Sequence, residues 1–345
     1  MTDAVRGNIG MEKFSKILAS RLKFSLLIIL LILMLFSSYF AQAQGKDHPD
    51  IRNDATEYTI ASNQKANDTS AWNNNAEDFS FATQGFIATD DPLIIPSDIT
   101  NYTSWNMEAF SYLDNGTYPG TINPLLYRHA RLNNINGLFE VVPGIYQIRG
   151  YDLTTMSLIK GNTGWIVIDP MNAVETARAA MDLVNRTLGD YPVKAVIYSH
   201  SHADHYQGVK GVITDEEVAA GDVEIIAPEG FMEHAVSENV YAGTAMQRRA
   251  AYMYGSRLPR DEKGLVDDGL GKYPAVGRES LIAPTIDITR TGQALTIDGV
   301  KMEFHYTPNT EAPVEMNIWF PDYKALFMAE NCVATLHNIL TLRGA

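Results

Sequence analysis

The chain has 345 residues, room for about two domains at ~150 residues each, and 46% hydrophobic with 20% charged residues excludes collagen, a coiled coil, a disordered chain and a polytopic membrane protein. Twenty-seven Lys and Arg stand against 41 Asp and Glu, a net charge of −14, so nucleic acid is not an expected partner, because duplex binding needs a basic face. The one cysteine, Cys332, allows neither an intrachain disulfide nor a cysteine-based zinc site.

Residues 1–23 carry Arg6, Lys13, Lys16, Arg21 and Lys23 against only Asp3 and Glu12. An apolar run of eleven follows, Leu26 to Phe36, and then Ala41-Gln42-Ala43. A basic start, a short apolar stretch and a small-x-small exit predict a Sec-type signal peptide over 1–43, cleaved near Ala43, and a periplasmic or secreted protein. The run is short for a membrane span of ~20 residues; an uncleaved anchor is the alternative, since Tyr39 and Phe40 lengthen it. Without 1–43 the chain keeps 22 basic and 39 acidic residues.

Residues 44–80, rich in Asn, Asp, Ala and Ser, predict a solvated lead-in with little regular structure. Residues 81–135, with Pro92, Pro96, Pro119 and Pro124, predict an ordered but irregular stretch. Together 44–135 form an N-terminal extension, and 136–345 a second unit. Glu140 to Arg149, Thr154 to Ile159 and Gly164 to Asp169 predict strands. Asn172 with Glu175 three residues on predicts a helix start. Ala177, Ala180, Met181, Val184 and Leu188 then share one helical face. Val193 to Tyr198 and Val223 to Ala227 predict short buried strands, with a helix beginning near Pro228. Residues 243–280 predict less regular structure. Ile286 to Ile297, Val300 to Tyr306, Asn317 to Phe320 and Ala325 to Met328 return to strand character. The order predicts a layered α/β sandwich.

The strand Val193–Tyr198 runs into Ser199-His200-Ser201-His202-Ala203-Asp204-His205. Three of the eight histidines of the chain lie here with a carboxylate between them. Imidazole and carboxylate are the ligands zinc takes when cysteine is absent. His200 and His202, two apart in an extended segment, point the same way. Asp204 and His205 turn away toward a second position, so one loop can serve two metals.

This H-x-H-x-D-H after a strand resembles the metallo-β-lactamase superfamily of binuclear metal hydrolases. Where that superfamily places a third ligand in a turn, this chain reads Tyr306-Thr307-Pro308-Asn309-Thr310-Glu311-Ala312-Pro313. Where it places a bridging carboxylate, the chain reads Leu326-Phe327-Met328-Ala329-Glu330-Asn331. Glutamate at both places is similar to the alkyl sulfatase branch, which hydrolyses dodecyl sulfate and related esters. Gln147 to Leu153, Glu238 to Gly243, Arg248-Arg249-Ala250, Thr335 to Asn338 and Thr341 to Ala345 fit the same branch, over about residues 80 to 345.

The resemblance implies a metallo-β-lactamase-type αββα sandwich over 136–345, incomplete at the C-terminus. It implies two zinc ions, the first held by His200, His202 and Glu311 and the second by Asp204 and His205, with Glu330 bridging. Asp204 and Glu330 then serve catalysis, and a hydroxide between the metals attacks the sulfate ester. Two zinc ions against three carboxylates leave one positive charge, which suits that nucleophile. Asn338 and Arg343 follow as binders of the sulfate group, Arg343 through its planar fork. Glu315 is the competing candidate for the place given to Glu311, and His337 stands next to the sulfate-binding stretch as a supporting residue. His305 is expected to pack within its strand, His234 to lie exposed on a helix, and Cys332 to be a small buried hydrophobe.

The branch carries one more metal-binding histidine some tens of residues past the bridging glutamate, a helical dimerisation region that makes a homodimer, and a sterol-carrier-like domain. Fifteen residues follow Glu330, so the chain is expected to be an N-terminal portion. Two further readings stay open: another ester hydrolase of the same fold, acting on phosphate or acyl esters, and a metal-binding fragment without catalysis.

Overall fold

A computed structural model describes residues 52–69, 76–115 and 118–335. The expected signal segment 1–43 lies outside them, as do His337, Asn338 and Arg343. Among the described residues no helix is long and apolar enough to cross a membrane.

Fourteen strands follow in chain order: β1 Phe86–Ala88, β2 Ile94–Pro96, β3 Thr103–Asn106, β4 Gly137–Val142, β5 Ile145–Arg149, β6 Met156–Lys160, β7 Trp165–Ile168, β8 Val193–Ile197, β9 Glu224–Pro228, β10 Ile286–Ile288, β11 Gln293–Ile297, β12 Val300–Tyr306, β13 Met316–Phe320 and β14 Ala325–Phe327. One sheet of eight has the order β1-β4-β5-β6-β7-β8-β9-β10, and a second of four has β11-β12-β13-β14. The first is antiparallel as far as β7 and parallel from β7 to β10. The helix Val174–Leu188 supplies the crossover that the parallel pair β7–β8 requires. β2 and β3 make a small separate pair.

Period-two alternation builds the two cores. Ile166, Ile168, Ala195, Ile197 and Ile226 of the first sheet pack against Met302, Phe304, Met316, Ile318 and Phe320 of the second. The other face of the first sheet, with Trp165, Val167, Val196 and Ile225, packs on Ala177, Ala180, Met181 and Val184 of the crossover helix. Strands β7 and β8 are covered on both faces, which is why they read as continuous apolar runs. In β12, Val300, Met302 and Phe304 point inward, while Lys301 and Glu303 are exposed. Helix layer, sheet and sheet are thus three of the four layers of an αββα sandwich.

Several expectations are corrected. Residues 44–80 contain two helices, Glu57–Thr69 and Glu77–Thr83. Tertiary contacts override their weak propensity: Asn63 Nδ2 donates to Gly120 O at 2.8 Å, and Phe79 lies beneath Arg128 and Arg131 of the helix Pro124–Leu132. The single strand over Glu140 to Arg149 is the hairpin β4–β5, turned at Pro143-Gly144 with Gly144 at φ 91°. Ile286 to Ile297 divides into β10 and β11, which belong to different sheets. Residues 243–280 begin with a helix, Gly243–Tyr254. Asn172 and Glu175 do not cap the crossover helix, whose N-cap is Ala173 without a side-chain bond. Glu175 is instead fully buried and accepts from the N–H groups of Asp98 and Arg278, fastening the N-terminal extension. His234 and His305 are half-buried and Cys332 is exposed rather than buried.

Candidate metal centre

The parallel strands deliver the site. In α/β sheets, side chains that bind ligands gather beyond the carboxyl ends of parallel strands. Asp169 directly follows β7, and Ser199 to His205 directly follow β8. Glu311 stands in the turn after β12, and Glu330 in the turn after β14. An antiparallel bridge between His200 and Glu315, with Met316 N–H donating to Ser199 O at 3.0 Å, stitches the β8 loop to the second sheet. Both sheets therefore contribute to one cluster.

Among the described residues, four of the six non-glycine residues with positive φ are in the turns that feed it: Asp169 at 56°, Met171 at 64°, Asn309 at 60° and Ala329 at 47°. Left-handed backbone at an L residue is held only where the surroundings impose it. Here it aims the side chains of Asp169, Glu311 and Glu330 into a common space.

His200 Nε2 lies 3.0 Å from His202 Nδ1 and 3.4 Å from Glu330 Oε2. His202 Nδ1 lies 3.4 Å from Glu311 Oε1. His205 Nε2 lies 3.5 Å from both Asp204 Oδ2 and Glu330 Oε2. Two ligand groups result, His200–His202–Glu330 and Asp204–His205–Glu330, each with its donor atoms within 4.8 Å of one another. Glu330 Oε2 belongs to both distance sets. Glu315 behaves differently from Glu311. Its buried Oε2 accepts from Thr310 Oγ1 at 2.8 Å and from Glu311 N–H at 2.9 Å, so it shapes the turn that carries Glu311.

Side chains behind the cluster fix the rings. Ser199 Oγ meets His200 Nδ1 at 3.0 Å. Asp169 Oδ2 takes both Ser199 Oγ–H at 2.7 Å and His205 Nδ1–H at 2.9 Å, and its Oδ1 accepts from Ser199 N–H at 2.8 Å. Burial lowers His200 to about 4, helped by the neighbouring His205 and His202, so that ring is neutral at pH 7. Burial also opposes a charge on His205, but Asp204 and Asp169 outweigh it and hold that ring well above the ordinary histidine value.

The residues present fit a metal ion. His205 Nε2 is buried and has no hydrogen-bond partner, although buried polar atoms are nearly always satisfied. Neutral imidazole and carboxylate oxygen around it are a donor set for a borderline or hard cation.

Asp169, Ser199, Thr154 and Glu238 were not singled out by the sequence. Thr154 Oγ1 donates to Asp204 Oδ2 at 2.6 Å, and Glu238 Oε2 lies 3.9 Å from His202 Nε2. Asp169 had a signal, a carboxylate ending a fully apolar strand. Thr154 had none, being fifty residues from its partner.

The chain is 48% identical over 268 residues to a linear primary-alkylsulfatase of Pseudomonas sp, covering 77% of this chain and 40% of that protein. It is 45% identical over 268 residues to an alkyl/aryl-sulfatase of Saccharomyces cerevisiae, covering 77% and 41%. The solved structure of the stereoselective inverting sec-alkylsulfatase Pisa1 from Pseudomonas sp. superposes with a TM-score of 0.76 at 42% identity, over 80% of this chain and 43% of that one. The chain thus spans about two fifths of the length of these relatives. Residues 149–329, more than half of the chain, match the family described as the Metallo-beta-lactamase superfamily. That stretch runs from the end of β5 to the residue before Glu330 and takes in the histidine loop between, and by it the chain belongs to the metallo-β-lactamase superfamily, whose fold implies a metal-binding site.

Proposed function

We propose that this chain carries the metal-binding part of a zinc-dependent alkyl sulfatase, which hydrolyses alkyl sulfate esters to alcohol and sulfate at a binuclear site. The observation that carries the reading is Glu330 Oε2, 3.4 Å from His200 Nε2 and 3.5 Å from His205 Nε2, an oxygen common to two ligand groups. Likeness to enzymes named alkylsulfatases favours a sulfuric ester as substrate. His200, His202 and Glu311 would hold one zinc, Asp204 and His205 the other, and Glu330 both. When bound, zinc makes water a nucleophile near neutral pH and polarises an ester oxygen.

The chain's own residues prepare that chemistry. Burial keeps His200 neutral, and Ser199 and Asp169 fix the ring orientations. Asn338 and Arg343 are proposed to hold the sulfate group. We further read residues 1–43 as an export signal and the complete protein as a homodimer.

The test is to load the full chain with zinc and to measure metal per chain alongside sulfate release from dodecyl sulfate. Near two zinc ions with sulfate release supports the reading. Turnover of phosphate or acyl esters but not of alkyl sulfates would favour a different hydrolase of this fold. Bound zinc without any turnover would make the chain a metal-binding portion that needs the rest of a longer protein.

A further inference from the structure

We propose that Thr154 is a positioning residue for Asp204, holding that carboxylate in place for a metal ion; this rests on the metal reading of the site. Thr154 lies in the loop between β5 and β6. Its hydroxyl donates to Asp204 Oδ2 at 2.6 Å, and both side chains are buried. An O–H···O⁻ contact of that length is in the charge-assisted range. Asp204 itself sits on a single 3-10 turn, Ala203–His205. Thr154 reaches that carboxylate from a different part of the sheet. The oxygen it holds is the one that stands 3.5 Å from the unpartnered His205 Nε2. A carboxylate oxygen has two lone pairs, so it can accept the hydroxyl and face a cation at the same time.

The loop that presents Thr154 is itself anchored. Asp152, buried, accepts on Oδ1 from Leu153 N–H at 2.7 Å and Ala275 N–H at 3.0 Å. On Oδ2 it accepts from Asn172 N–H at 3.1 Å and Thr176 Oγ1–H at 2.5 Å. Those donors come from the loop itself, from the start of the crossover helix and from the segment before β10. Gly271 closes the remaining side, where a Cβ would stand 2.7 Å from Leu153 Cδ1. The crossover helix thus fastens Asp152, and the same loop, two residues on, presents Thr154 to Asp204. Partners that hold a metal ligand in this way typically contribute 10- to 100-fold in metal affinity.

The test uses the full chain with zinc and a competing chelator. Thr154→Val keeps the shape and removes the hydroxyl, and it is expected to weaken zinc binding by ~10-fold or more. Thr154→Ser keeps the hydroxyl and is expected to restore near-parental affinity. In an Asp204→Ala background, which leaves no acceptor for the hydroxyl, Thr154→Val is expected to add nothing, because its effect runs through the carboxylate. Thermal unfolding of the metal-free proteins checks folding, and if the valine variant fails to fold, Thr154→Ala takes its place. Equal affinity of Thr154→Val and the parent, or an undiminished effect in the Asp204→Ala background, would overturn the proposal while leaving the metal site intact. A parent chain that takes up no zinc would overturn the metal reading and this inference together.

Discussion

Asp169→Asn tests the arrangement behind the site most sharply, because it changes one atom and leaves the shape alone. Asp169 Oδ1 accepts from Ser199 N–H, while Oδ2 accepts from Ser199 Oγ–H and from His205 Nδ1–H. Once a metal displaces the Nε2 proton of His205, Nδ1 still donates to Asp169 and the Nε2 lone pair would face the metal beside Asp204 and Glu330. An asparagine has one acceptor where the aspartate has two. If its amide nitrogen takes the Oδ2 place, it points donors at His205 Nδ1, which can then only accept. The ring proton moves to Nε2 and the lone pair that a metal needs is gone. If the amide flips, its nitrogen meets the buried Ser199 N–H, and a donor stays unsatisfied at ~1–3 kcal/mol.

Both orientations therefore cost something, but in different measurements. The first weakens metal binding by ~10- to 100-fold, or about 1.4–2.7 kcal/mol. The second destabilises the metal-free fold by a similar amount. Chelator competition reads the first and urea unfolding of the metal-free chain reads the second. An Asp169→Asn chain that matches the parent in both would refute the tautomer argument.

Three further outcomes are expected. Zinc at 100 times its dissociation constant should stabilise the parent by ~2.7 kcal/mol in thermal unfolding, and Glu330→Gln should diminish that shift more than Glu311→Gln, because Glu330 faces both groups. Both oxygens of Asp268 are buried without a hydrogen-bond partner, and burial together with Asp267 pushes its carboxyl up to about 8. A folded value above the unfolded 3.8 means that the favourable protonated state is lost as pH rises from about 4 to about 8. Asp268→Asn should then be more stable than the parent at pH 8, with the gap in urea midpoints narrowing toward pH 5; a constant gap would refute it. A Cβ on Gly208 would stand 2.1 Å from Pro170 O and 2.8 Å from Ala173 O. Gly208→Ala should therefore push the histidine loop off the start of the crossover helix and destabilise the chain by ~1–3 kcal/mol, read by thermal unfolding.

What the sequence made legible follows from locality. The β8 strand and the H-x-H-x-D-H loop are contiguous, so their pattern was visible without a fold. The apolar runs of β7 and β8 were visible for a related reason, since burial on both faces leaves no polar residue to blur them. The hairpin β4–β5 was misread as one strand because both arms are apolar, although Pro143-Gly144 marked the turn. Residues 57–69 were misread for the opposite reason: their composition is polar, and their helix is held by a distant partner through the Asn63 bond to Gly120. Glu175 looked like a helix-start residue and instead serves two distant backbone N–H groups. In each case the residues were read correctly as types, and the missing term was a partner far along the chain.

The same limit explains why the histidines were visible and their support was not. Five carboxylates, of Asp169, Asp204, Glu238, Glu311 and Glu330, stand within 4 Å of the three imidazoles. They arrive from the ends of β7, β8, β12 and β14 and from the stretch Ser237–Tyr241. Bringing that much negative charge into a mostly buried space is costly unless positive charge comes with it. The metal-free chain answers with a proton on His205, held there by Asp204 and Asp169 against the cost of burial. His200, next to it, cannot share that role, because burial and the charge on His205 both disfavour a second proton. His200 and His205 together thus carry one proton in a cluster built from several acids, and a multivalent cation bound through the same nitrogen and oxygen atoms would bring more positive charge.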